Sequence, residues 1–279
     1  MADGSELLIL KLGGSVITDK TAGASGRIRH EVIIEIGSVL AASQKRVIIV
    51  HGAGSYGHPQ AAQYRIQHGV TGENREGIYA VHASVSELNT AVVSALRGSG
   101  IEAISVHPFH GMCAKDGVLY EYPVSSLQEM CALGLVPVLH GDVVMDLTRG
   151  ACIISGDHLI RVFSQVLHVS RVGMITDVPG VLAADGSVIP HISRANVDVL
   201  FESGTIGRSP GLDVTGGMRG KIEELLSLSD EGICSTLFCR TELPAFLRDE
   251  AHEGTLICPP FSNGEHLPIM CGDTNTINT

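Results

Sequence analysis

The sequence has no tryptophan, and aromatic residues of any kind make up only 4% of its 279 residues. A core without large rings must be filled by Val, Ile and Leu, which suits strands buried on both faces. Basic residues are scarce as well: 19 Lys and Arg stand against 30 Asp and Glu, a formal charge of −11. That balance excludes a nucleic-acid surface or an anionic membrane as partner, and admits an anionic small molecule only where cations are gathered locally. No apolar run reaches the length of about 18 residues that a membrane span needs, and no apolar segment follows a basic start. The seven cysteines, at 113, 131, 152, 234, 239, 258 and 271, include no C-x-x-C pair. They read as reduced thiols in a cytoplasmic protein. A G-x-x-x-x-G-K-[S/T] loop, a G-x-S-x-G elbow and an H-E-x-x-H helix are all missing, which excludes those hydrolase and zinc-protease designs. Of the 13 histidines, His51 and His58 have no cysteine or carboxylate beside them at ligand spacing, so no metal set is expected. Histidines 30, 68, 82, 168, 191, 252 and 266 read as surface residues.

What the chain does have is glycine, 33 residues of it, placed in a telling way. Val47 to Val50 forms a β-branched strand that runs into His51-Gly52-Ala53-Gly54-Ser55-Tyr56-Gly57-His58. Glycine lets backbone N–H groups approach a ligand closely, so such a turn can cradle an anion. The turn formally matches G-x-G-x-x-G, but the acidic residue that a dinucleotide site needs about 20 residues on is misplaced. Glu73 and Glu76 lie in a polar loop before a helix. Three more loops of this kind follow strands or open helices: Gly13-Gly14-Ser15, Ser155-Gly156-Asp157 and Asp213 to Met218.

In chain order, strands are expected at 6–12, 47–50, 101–106, 135–139, 172–175, 232–239 and 254–258. A hairpin is expected around 148–150. Helices are expected at 30–42, 78–96, 125–133 and 157–167. Alternation of strands and helices implies an α/β fold, a three-layer αβα sandwich around a mostly parallel central sheet. Residues 1–258 read as one domain, with an acceptor-binding half up to about 168 and a nucleotide-binding half from about 169. Residues 259–279 lose periodicity and read as a disordered tail.

Lys11 stands inside the apolar strand, where a charge must leave the core or meet an anion. With Lys20 and Lys221 it places three cations among glycine nests in an otherwise acidic chain. Asp142, Asp157, Asp177 and Asp213 stand at the junctions of strands with turns or helices, either as caps or as site residues. Backbone donors, cations and fixed placement are what phosphoryl transfer requires. The face of the 78–96 helix that carries Ile78, Tyr79, Val81, His82 and Val85 is a candidate wall for a substrate's apolar tail.

These motifs resemble those of the amino acid kinase family from about Leu7 to Ile257. The resemblance rests on L-K-L-G-G-S with T-D-K, V-H-G-A-G-S-Y-G-H, V-P-V-L-H-G-D, I-I-S-G-D, T-D-V-P-G-V and D-V-T-G-G-M-R-G-K. It implies ATP and Mg²⁺. Within the family, His58 points to the branch whose acceptor is isopentenyl phosphate, with isopentenyl diphosphate as product. A fosfomycin kinase and a non-catalytic nucleotide-binding regulator are the alternatives. By this resemblance Lys11, Gly13, Gly14, Ser15 and Gly54 hold the ATP phosphates, and Asp177, Gly217 and Lys221 serve the nucleotide. Gly52, Ala53, Gly57, His58 and Gly156 hold the acceptor phosphate, next to Ile78, Tyr79 and His82. Lys20 stabilises the transferring group and Asp157 orients the lysines or the metal. The expected partners are a small-molecule phosphate and a second copy of the chain, as a homodimer, with no nucleic acid or membrane.

Overall fold

The computed structural model describes residues 6–19, 26–203 and 217–260. The chain divides into two compact units, Met1–Ser170 and Arg171–Thr279. The first runs β1 (Leu7–Leu12), α1 (Gly14–Ile17), β2 (Thr18–Asp19), β3 (Arg27–Ile28), α2 (His30–Ser43), β4 (Arg46–His51), α3 (His58–Gln63), α4 (Glu76–Gly98), β5 (Ala103–Ser105), α5 (Pro108–Gly111), β6 (Cys113–Lys115), β7 (Val118–Glu121), α6 (Val124–Ala132), β8 (Val136–His140), β9 (Asp142–Asp146), β10 (Gly150–Ile154) and α7 (Gly156–Val166).

Strands β1, β4, β8 and β5 pair in that order, all parallel. Their apolar runs are covered on both faces, and Val47 to Val50 are fully buried. Helix α2 packs on α4, which lies against β5 and β8, while α7 reaches β1, β4 and β8. A second sheet has the order β10-β9-β6-β7. One carboxylate knots it together: Asp146 accepts the backbone N–H groups of Asp116, Gly117, Thr148 and Arg149 at 2.7–3.1 Å. Burial works against that charge, but the four donors outweigh it and hold the carboxyl well below its usual range.

The second unit contains β11 (Arg171–Thr176), β12 (His191–Ile192), α8 (Val197–Glu202), α9 (Gly217–Ser229), β13 (Cys234–Cys239), α10 (Leu243–Arg248) and β14 (Thr255–Ile257). β11 pairs with β13 and β12 with β14 in parallel, and β13 pairs with β14 antiparallel. Phe238 and Phe246 stack at 4.8 Å, with the His252 ring edge-on to both. His252 is therefore a core residue, 3% exposed, rather than the surface histidine expected.

The α/β class and the mostly parallel pairing hold in each unit. Two corrections concern elements and cysteines. The β6–β7 hairpin and the helices α3 and α8 were not anticipated, because each is too short to carry a period. Cys234 and Cys258 are joined in a disulfide, where seven free thiols were expected. The antiparallel register, Ser235 opposite Ile257, puts these two cysteines side by side, a proximity that sequence spacing does not reveal. Cys113, Cys131, Cys152 and Cys239 are free, and Cys271 lies outside the described residues. So does the tail from residue 261. Among the described residues, no helix is long and apolar enough to cross a membrane.

Candidate active site

The site begins where β1 and β4 end side by side, with Lys11 opposite Val50 and Leu12 opposite His51. Both strands run into glycine turns at that end, and the Gly52 N–H extends the ladder to the Leu12 carbonyl at 3.0 Å. The turns then meet backbone to backbone. A Cβ on Gly14 would stand 2.6 Å from both the Cα and the N of Gly54, which has a φ of +54°. No side chain other than hydrogen fits at Gly14, and Gly54 needs the left-handed region. Gly13 and Gly14 are half-buried and Ser15 is exposed. Ser55 Oγ is buried beside Gly26.

Lys11, 7% exposed, meets its anion inside the unit, since its ammonium donates to the carboxylate of Asp157. Asp157 stands in the first turn of α7, a favourable place for negative charge. That turn is fixed by Ser155, whose hydroxyl accepts the His158 N–H at 3.1 Å. Gly156 lies over the strand ends, its missing Cβ 3.8 Å from Lys11 Cε and 3.3 Å from Val50 Cγ1.

The Ala53–Gly57 turn rests on α4. A Cβ on Gly57 would stand 2.8 Å from Val85 Cγ1 and 2.7 Å from Ala53 Cβ. His58, the first residue of α3, is exposed, and no side chain caps that helix. Along α4, Ile78 is half-buried and packs against Ile66, Val81, Val143 and Ala151. Tyr79, expected on the same wall, is instead 70% exposed. It follows Ile78 by one residue, a turn of about 100° around the helix, so it leaves the face shared by 78, 81 and 85. His82 is not a surface residue either, because its Nδ1 lies 2.9 Å from Asp142 Oδ2.

A cluster of imidazoles stands beside this region. His51 is buried, its Nδ1 donating to the Gly52 carbonyl at 3.1 Å and its Nε2 facing Asn89 at 3.2 Å. Burial pushes its pKa down to about 4. His140 stacks on it with ring centroids 5.3 Å apart, and burial takes its pKa well below 6.5. Asp142 is 1% exposed and burial raises its carboxyl, against the pull of His82 and the Val143 N–H.

Lys20 and Asp213 to Gly216 lie outside the described residues. In the second unit, Asp177 is exposed just past β11, and Gly217 and Lys221 belong to the start of α9. A cavity of about 410 Å³ lined by Leu7, Arg46 and Gln128 sits at the N-terminal ends of β1 and β4, away from the glycine turns. The sequence did not signal His107, Asn89 or the capping role of Ser155.

A model of the amino acid kinase family matches residues 6–239. The isopentenyl phosphate kinase of Haloferax volcanii is 39% identical over 259 residues, covering 90% of this chain and 98% of that protein. That of Methanothermobacter thermautotrophicus is 38% identical over 242 residues, 83% of this chain and 90% of its own. A crystal structure of an isopentenyl phosphate kinase superposes with a TM-score of 0.76 at 32% identity, covering 90% of this chain and all of the other. The product complex of the Thermoplasma acidophilum isopentenyl phosphate kinase gives 0.71 at 25% identity, covering 90% and 99%.

Proposed function

The chain belongs to the amino acid kinase family, and from that premise we propose that it transfers the γ-phosphoryl group of ATP to isopentenyl phosphate, yielding ADP and isopentenyl diphosphate. The observation that carries this reading is the junction of the two glycine turns at Gly14 and Gly54 beside the Lys11–Asp157 pair. It gathers backbone donors and a cation at the strand ends where ligands of open α/β sheets bind. Relatives named for isopentenyl phosphate support the acceptor.

The acceptor phosphate is already largely a dianion near neutral pH, because its second ionisation falls near pH 6. It attacks without a base, and the protein's work is placement and charge. Gly52, Ala53, Gly57, His58 and Gly156 hold that phosphate, and Ile78 and His82 border its five-carbon tail. Lys11, Gly13, Gly14, Ser15 and Gly54 take the ATP phosphates, with Asp157 fixing the Lys11 ammonium. Lys20 meets the transferring group. Asp177, Gly217 and Lys221 serve the nucleotide, so that the first unit is the acceptor half and the second the nucleotide half. The Asp157 carboxylate is engaged by Lys11, a donor set that suits Mg²⁺ carried mainly on the ATP oxygens. Bound there, Mg²⁺ would supply charge neutralisation to the ATP phosphates. A cytoplasmic homodimer completes the proposal, and sedimentation of the purified protein tests the oligomer.

The decisive experiment measures ADP release with isopentenyl phosphate, dimethylallyl phosphate, longer prenyl phosphates, fosfomycin and N-acetylglutamate. Acceptor-dependent turnover highest with isopentenyl phosphate is expected. Preference for fosfomycin or N-acetylglutamate, or ATP turnover indifferent to acceptor, overturns the reading.

A further inference from the structure

Beside the acceptor cradle, β8, β9 and the turn into α5 bring together three side chains that the phosphoryl transfer leaves unused. Potential ligand atoms of His107, His140 and Asp142 all lie within 4.8 Å of one another. We propose that these three residues form a binding site for a zinc-class divalent transition metal ion. The spacing between the two imidazoles is near what such an ion demands. Ligands about 2.0–2.1 Å from a tetrahedral ion stand about 3.3 Å apart, and His140 Nε2 lies 3.0 Å from His107 Nδ1.

The surroundings orient each ligand. His140 spends its Nδ1–H on the Gly141 carbonyl at 3.1 Å, which fixes the tautomer and leaves Nε2 with its lone pair aimed at His107. An imidazole held by a backbone carbonyl through its other nitrogen is the usual posture of a metal-binding histidine. Asp142 is clamped in the same way, by His82 at 2.9 Å and by the Val143 N–H at 2.8 Å. The Phe109 N–H is a third donor to this carboxylate, and of about four acceptor positions one is left for an ion. His140 and Asp142 are buried, while His107 is half-buried and marks the open side. The His110 ring stands edge-on to both His107 and His82, 5.9 and 5.0 Å away. Two imidazoles and one carboxylate match the three-ligand sites that zinc occupies. Hard Mg²⁺ prefers oxygen ligands and would not select this set. The bound ion would tie the 107–110 turn to the end of β8.

The test uses the untagged full-length chain, stripped with a chelator and free of nucleotide. Zn²⁺ titration with a competing chromophoric chelator should give one tight equivalent. Replacement by Co²⁺ should give the visible bands of a four-coordinate nitrogen–oxygen site without a thiolate charge-transfer band. His107→Ala, at the half-buried position, should weaken Zn²⁺ at least tenfold and abolish the rise in thermal midpoint that Zn²⁺ gives the parent protein. His30→Ala, an exposed control, should change neither. His107→Cys restores a ligand, so it should recover binding and add a thiolate band. Absence of a tight equivalent, a thiolate band in the parent protein, or unchanged affinity in His107→Ala overturns the proposal.

Discussion

Lys11 and Asp157, 146 positions apart in the chain, form an ion pair at the edge of the first unit's parallel strands. The ammonium comes from the C-terminal end of an apolar strand and the carboxylate from the first turn of a helix. Removing one partner of such a pair leaves the other charge buried, which typically costs about 3–5 kcal/mol. Lys11→Met and Asp157→Asn should each lower stability toward that range, less for Lys11→Met, which leaves behind a carboxylate that is 20% exposed. The double variant Lys11→Met/Asp157→Leu should recover stability but not turnover. Urea unfolding together with steady-state kinetics checks this, and a double variant that regains activity would refute a role for the pair in transfer.

Gly14 and Gly54 set a second expectation. The close approach at Gly14 is to backbone atoms, which cannot rotate aside. Gly14→Ala should cost about 1–3 kcal/mol through overpacking and should raise the KM for ATP. Gly98→Ala, where nothing lies within 4 Å of the added carbon, should be neutral or slightly stabilising. Equal thermal midpoints for the two variants would contradict the close packing of the turns.

Lys20 is assigned to the transferring phosphoryl group. Loss of one transition-state donor typically costs about 10²–10³ in turnover. Lys20→Ala should therefore lower kcat by that factor while leaving the thermal midpoint unchanged. Near-normal kcat removes the assignment.

His58, exposed at the start of α3, is assigned to the acceptor phosphate. His58→Ala should raise the KM for isopentenyl phosphate and lower kcat, with ATP affinity nearly unchanged. His58→Gln, which keeps a neutral donor, should recover part of the loss. Kinetics with each substrate varied in turn decide the matter, and equal losses for both substrates would move His58 out of the acceptor site.

The buried imidazoles make stability depend on pH. Burial lowers the His51 pKa to about 4, while the unfolded chain titrates near 6.5. Between these values the unfolded state binds more protons, so stability is full above about pH 6.5 and falls as pH drops toward about 4. The shift corresponds to about 3 kcal/mol for His51. His140 acts in the same direction, and Asp142, raised by burial, opposes both at the acid end. Urea midpoints at about pH 7.5 and about pH 5 should differ in the parent protein, and by less in His51→Gln, where His140 still contributes. An unchanged difference in that variant would show that other groups carry the dependence.

Local signals made part of this site legible. Val47 to Val50 announces a strand buried on both faces, and the glycines beyond it announce a turn. Lys11 inside an apolar run announces a buried anion, although not which of several aspartates supplies it. Long-range register stayed invisible. Cys234 meets Cys258 only because β13 and β14 run antiparallel, and His107 meets His140 only because β5 lies beside β8. Tyr79 illustrates a finer limit: apolar spacing located α4, but one residue of helical rotation decided which side chains face inward.

Asp146 holds the amides of two separate turns, at 116–117 and at 148–149, with a single side chain. These four amides are thereby protected from solvent by one event rather than four. Their hydrogen exchange should be correlated, rising together when the carboxylate is replaced by Asn. The β6–β7 and β9–β10 hairpins would then open as one cooperative segment, although 29 positions separate Gly117 from the residue that guards it.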